Sequence, residues 1–154
     1  MAELQGTPAT HLLSMRRTLQ APREAVFRAF TDPAKVQQWY GPRGFTIEIE
    51  KFEARVGGPY RLCMIAPDQK RHWLRGEFLI IQPHERVSFT WVWEQGDIAG
   101  LESLVSVRLD AKGDATELLL EHRRLPSESS AKAHEGGWAS SFECLADFIA
   151  TEGR

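Results

Sequence analysis

Between Phe45 and about His122, apolar and polar positions alternate with a period of two. Phe45, Ile47 and Ile49 alternate with Thr46, Glu48 and Glu50, and Val87, Phe89, Trp91 and Trp93 alternate with Ser88, Thr90 and Glu94. Val105, Val107 and Leu109 repeat the pattern. A period of two marks strands with one buried face. Phe52 breaks phase with Ile49, so a bulge is expected near Glu50-Lys51. Tyr60–Ile65, His72–Ile81 and Thr116–His122 complete the series, with turns at Gly57-Gly58, Pro83-His84 and Lys112-Gly113-Asp114. In His72–Ile81, Phe78 and Ile81 cannot both face inward without a further bulge. Strands this close in sequence, joined by turn residues, predict an antiparallel meander.

The two ends read differently. Leu12–Leu19 is a first strand, and Ala21-Pro22 opens a helix with Pro22 at its first position and Val26, Phe27 and Phe30 on one face. Asp32-Pro33 starts a second short helix carrying Val36, Trp39 and Tyr40, which Gly41-Pro42 ends. At the C-terminus Trp138, Phe142, Leu145 and Ile149 share one helical face, opposite Ser140, Glu143 and Asp147. That spacing predicts a helix from near Ser130 to Ile149. The order is α+β: a sheet of about seven strands, two short helices after the first, and one long final helix. One amphipathic helix is too narrow to cover so broad an apolar face. The sheet curls around it, a space remains between them, or both.

Composition and charge remove several classes of function. The 154 residues are 42 % hydrophobic and 26 % charged, a globular balance, and fit one domain over residues 11–154 after a flexible segment, 1–10. A net charge of −2 gives no reason to expect a nucleic-acid partner. Met1 to Thr10 shows no export leader, and no run is long and apolar enough for a membrane span. Cytoplasmic location follows by default, with Cys63 and Cys144 as reduced thiols. Oligomeric state stays open between monomer and homodimer.

Several short motifs then follow one another in a familiar order. They are Phe30-Thr31-Asp32-Pro33 with Trp39, Arg55-Val56-Gly57-Gly58, and Gly76-Glu77-Phe78 leading into Pro83-His84-Glu85-Arg86-Val87-Ser88-Phe89-Thr90-Trp91. Leu125-Pro126 and His134-Glu135-Gly136-Gly137-Trp138 follow. In this order the chain resembles the bacterial homologues of the heat-shock-protein ATPase activator, within the START-like (SRPBCC, birch-pollen-allergen-like) superfamily. The resemblance runs from about Thr18 to Ile149. It implies a helix-grip fold, a sheet curled around the C-terminal helix with a cavity between. It leaves ligand carriage, cyclase chemistry and chaperone activation as alternatives. Many relatives carry an acidic residue where this chain has Ile80, which implies a greasier cavity here.

Five tryptophans and eight phenylalanines supply the material for such a cavity. The expected lining comprises some of Trp39, Leu62, Met64, Phe78, Phe89, Trp91, His122, Trp138 and Phe142. The same residues would serve equally as plain core under the helix. His122 shares a strand face with Leu118 and Leu120 and is expected to point inward, and His134 lies one turn before Trp138, at the cavity mouth or on the helix surface. They are the two candidates for acid–base chemistry, although neither has an evident titrating partner in sequence. Gly136-Gly137 suggests either a helix beginning at Gly137 or close approach of the helix to the sheet near Gly76. His134-Glu135 lacks the second histidine of a zinc motif, and no nucleophile elbow, phosphate loop or dinucleotide fingerprint is present. No cofactor or metal is expected. The leading expectation is a module that binds an apolar or amphipathic small molecule. A co-chaperone-like protein partner and a cofactor-free cyclase or hydrolase are the alternatives.

Overall fold

The computed structural model describes residues 11–152; the segment 1–10 expected to be flexible lies outside the described residues. Strand β1 (His11–Leu19) is followed by helices α1 (Arg23–Thr31) and α2 (Pro33–Trp39). Strands β2 (Thr46–Phe52), β3 (Pro59–Ile65), β4 (Arg71–Gln82), β5 (Arg86–Trp93), β6 (Glu102–Lys112) and β7 (Ala115–Leu125) form the meander, and α3 (Glu128–Glu152) closes the chain. All neighbouring strands are antiparallel, in the order β1-β7-β6-β5-β4-β3-β2. The architecture is the expected α+β, helix-grip type.

Both bulges fall where the phase breaks require them. Register shifts between Ile49 and Lys51, which lets Phe52 turn back to the core, and again between Phe78 and Ile80. The second bulge puts Phe78 and Ile81 on the core side and sets Ile80 opposite Ser88, on the outer face. Ile80 therefore does not make the cavity greasier.

The helix starts show how local chemistry positions the ends. Asp32 Oδ1 accepts from the Ala34 N–H at 3.0 Å, with Pro33 at the first position of α2. Pro22 is extended (ψ 160°) and its carbonyl accepts from Ala25 and Val26, so it caps α1 instead of opening it. Ser127 caps α3 by accepting from the Ser130 N–H at 3.1 Å, which starts that helix earlier than the apolar stripe alone suggests.

Trp138, Phe142, Leu145 and Ile149 are buried beneath α3, as expected. That helix lies chiefly over β1 and β7. The rest of the inner face is covered by α1 and α2, whose Phe30, Trp39 and Tyr40 enter the same core. The Trp39 Nε1–H donates to the Ala29 carbonyl at 2.8 Å and ties the two short helices together.

Candidate functional site

The covering helices meet incompletely, and an open cavity of about 220 Å³ remains between α2, β3, β5 and α3. Tyr40, Gly41 and Pro42 bound it from the end of α2, Met64 from β3, and Trp91 and Trp93 from β5. The α3 wall comprises Ala133, His134, Gly137, Trp138 and Ser141. Two causes keep it open. Ala133, Gly137 and Ser141 fall at intervals of four on one side of the helix, where larger side chains would fill the space. Opposite them, rigid rings hold one another apart. Tyr40 meets Trp138 edge-on at 6.1 Å, and Trp91 meets Trp93 edge-on at 5.5 Å and Trp138 in a tilted contact at 5.2 Å.

Of the expected lining, Met64, Trp91 and Trp138 stand on this wall. Leu62, Phe78 and Phe89 do not. With Phe30, Phe52 and Tyr60 they surround a residual space of about 10 Å³, because the rings close on one another; Phe52–Phe78 lies at 5.3 Å and Phe78–Phe89 at 5.8 Å. Trp39, His122 and Phe142 are buried in the core behind the wall. Six of the nine expected residues thus lie off this wall, within the core. Tyr40 and Trp93 were legible as neighbours of Trp39 and Trp91 in the apolar pattern. The stripe of small residues on α3 is legible too, because a four-residue spacing of Ala133, Gly137 and Ser141 marks a gap on one side of the helix.

His122 is fully buried and committed at both ring nitrogens. Trp138 Nε1–H donates to Nδ1 at 3.2 Å, which places the ring hydrogen on Nε2, 2.8 Å from Ser103 Oγ. The Ser103 hydroxyl in turn donates to the Trp91 carbonyl at 3.1 Å. Burial, then the proximity of His134, pulls the His122 pKa down to about 3. His134 stands beside it, with ring centroids 4.9 Å apart. Its Nε2 accepts from Trp93 Nε1–H at 3.1 Å, and its Nδ1–H donates to the Ser130 carbonyl at 2.8 Å. Burial lowers its pKa too, against the opposing effect of that backbone bond. Two neutral imidazoles in opposite tautomers thus pin α3 to β5, β6 and β7. Trp91 Nε1–H is buried with no hydrogen-bond partner.

Gly136 and Gly137 lie inside α3, with no sheet atom near either; the nearest neighbour of a Cβ at Gly137 would be Pro42 Cγ at 4.0 Å. Neither expectation for this pair holds, since Gly137 faces the cavity. Cys63 and Cys144 are free thiols. Among the described residues no set of His, Cys, Asp or Glu side chains is grouped to hold a metal, and no helix is long and apolar enough to cross a membrane.

Residues 20–150 match the family described as Activator of Hsp90 ATPase homolog 1-like protein. The chain belongs to this family. A member of this activator-homologue family from Silicibacter pomeroyi superposes with a TM-score of 0.84 at 32% identity, over 92% of this chain and 99% of that one. A protein from Chromobacterium violaceum superposes at 0.80 with 27% identity, over 89% and 96% of the two chains. One from Rhodobacter sphaeroides, at 24% identity and a TM-score of 0.78, covers 93% and 94% and shares the fold. No curated protein matches the chain. The activator-homologue family therefore sets the fold and its START-like kinship, while the wall of the cavity carries the functional argument.

Proposed function

We propose that the chain is a binding module for a compact, uncharged, predominantly aromatic molecule seated between α2, β5 and α3. The observation that carries this reading is the wall itself: four aromatic rings, Pro42 and Met64, with no Asp, Glu, Lys or Arg among the lining residues. Burying apolar surface there releases ~25 cal/mol per Å². Burying an ionised group without a partner costs far more than a small contact area returns. The cavity is below the ~300–1,000 Å³ common for drug-sized ligands, which favours a one- or two-ring molecule over a long acyl chain.

A catalytic use of the same space is less well supported. A general base needs a free nitrogen within reach of the proton it removes, and each nitrogen of His122 and His134 already has a partner.

The test is tryptophan fluorescence titrated with 2-naphthol and, separately, 2-naphthoate at neutral pH. Saturable quenching by the neutral naphthol is expected, with binding of the carboxylate weaker by about tenfold or more, ~1.4 kcal/mol. Equal affinity for both, or no response to either, overturns the reading and moves a protein-partner role to first place.

A further inference from the structure

We propose that the chain has a second binding site, for the phosphate group or an equivalent oxyanion of a small molecule, where the start of α1 meets the turn between β4 and β5. A cavity of about 130 Å³ opens there, lined by Arg23, Gln82, Glu85, Arg86, Arg108 and Asp110 along with Leu109. It shares no residue with the apolar cavity. By liquid volume it holds about four waters at ~30 Å³ each, room for one oxyanion group.

Three arginines reach this space from three separate elements, α1, β5 and β6. Arg86 and Arg108 are direct cross-strand partners. Like charges placed directly opposite in an antiparallel pair are destabilising, so the fold gains nothing from this juxtaposition by itself. Arg86 Nε–H donates only a long bond to Ser106 Oγ, at 3.4 Å. Among the described residues none of the three guanidinium groups forms an ion pair, although Glu85 and Asp110 line the same cavity. Three positive groups against two negative ones leave an excess of one positive charge, with planar donor forks still available. Forks of this kind match the paired oxygens of phosphate and carboxylate. An oxyanion between Arg86 and Arg108 would turn a cross-strand repulsion into two charge-assisted contacts, with Arg23 closing the site from α1.

Thermal unfolding and calorimetry with pyrophosphate test this, with sodium chloride at matched ionic strength as the control. Pyrophosphate is expected to raise Tm saturably and well beyond chloride. Arg108 is exposed, so Arg108→Gln folds, and it is expected to bind pyrophosphate about tenfold or more weakly, as for loss of one charge-assisted contact. Without anion, Arg108→Gln is expected to match or exceed the parent in Tm, since the repulsion is gone. Arg23→Gln, which leaves the β5–β6 pair intact, is expected to weaken binding as well. A Tm rise no larger than that from chloride overturns the proposal, as does parent-like pyrophosphate affinity in Arg108→Gln. Naphthol quenching unchanged in Arg108→Gln is expected; its loss would show the two sites are not separate and overturn the assignment.

Discussion

Tyr60 occupies the space that a side chain at position 76 would need. A Cβ on Gly76 would stand 2.5 Å from the edge of the Tyr60 ring and closer still to the Thr90 carbonyl oxygen. The Tyr60 hydroxyl donates to that same carbonyl at 2.6 Å. The tyrosine thus crosses the missing side chain of its β4 partner to reach β5, and three strands are joined at one point. Gly76→Ala forces either the ring or the β4–β5 ladder to move. It is expected to destabilise the fold by about 2–4 kcal/mol, the range for overpacking combined with a broken buried hydrogen bond. Urea unfolding followed by circular dichroism measures this, and a change under about 0.5 kcal/mol would show that the contact is soft.

Acid should weaken the protein before its carboxylates titrate. His122 is held neutral in the fold, with its pKa near 3, and that of His134 is also depressed. In the unfolded chain both titrate near ~6.5, so below that pH the unfolded state binds more protons than the folded one. Stability is therefore full above about pH 6.5 and falls as pH drops toward the folded values. The slope for His122 approaches ~1.4 kcal/mol per pH unit. Urea midpoints at about pH 7, 6 and 5 should decline steadily, and His122→Gln should flatten the decline. A midpoint independent of pH across that range would mean that the imidazoles are not held neutral.

The two adjacent glycines of α3 should respond in opposite ways. Gly136 is exposed, with nothing within reach of an added Cβ. Gly136→Ala is expected to stabilise the protein by ~0.5–1 kcal/mol, the ordinary helix-interior penalty of glycine. Gly137 faces the cavity. Gly137→Leu is expected to leave the circular dichroism spectrum intact and to abolish naphthol quenching by filling the space. Quenching that survives Gly137→Leu would place the ligand elsewhere.

Much of the fold could be read from residue order, and for definite reasons. A strand with one buried face must alternate, so the run Val87, Phe89, Trp91 and Trp93 specified both an element and its inward side. Breaks of phase at Phe52 and Ile81 required bulges, because a one-residue slip would turn the remaining apolar side chains to water. Asp32-Pro33 carried its own capping chemistry. Local rules erred where a neighbour could override them. Pro22 suited the first helical position but became the cap, and Gly136-Gly137 suggested a boundary inside a helix that Ser127 had already begun.

The cavity was decided elsewhere. Phase states that Phe78, Phe89, Trp91 and His122 face inward, but not what stands opposite each of them. Phe78 and Phe89 meet Tyr60 and one another, and the space between them closes. Trp91 faces Tyr40 and Trp138 across the stripe of Ala133, Gly137 and Ser141, and the space stays open. The roles of the histidines depended likewise on partners distant in sequence, with Trp138 and Ser103 on His122 and Trp93 on His134. Residue order alone determined which side chains must leave water, because burial of a face imposes a period on the chain. Only the tertiary structure decided whether the space beyond them was filled, because packing depends on the size and angle of side chains brought together from separate elements.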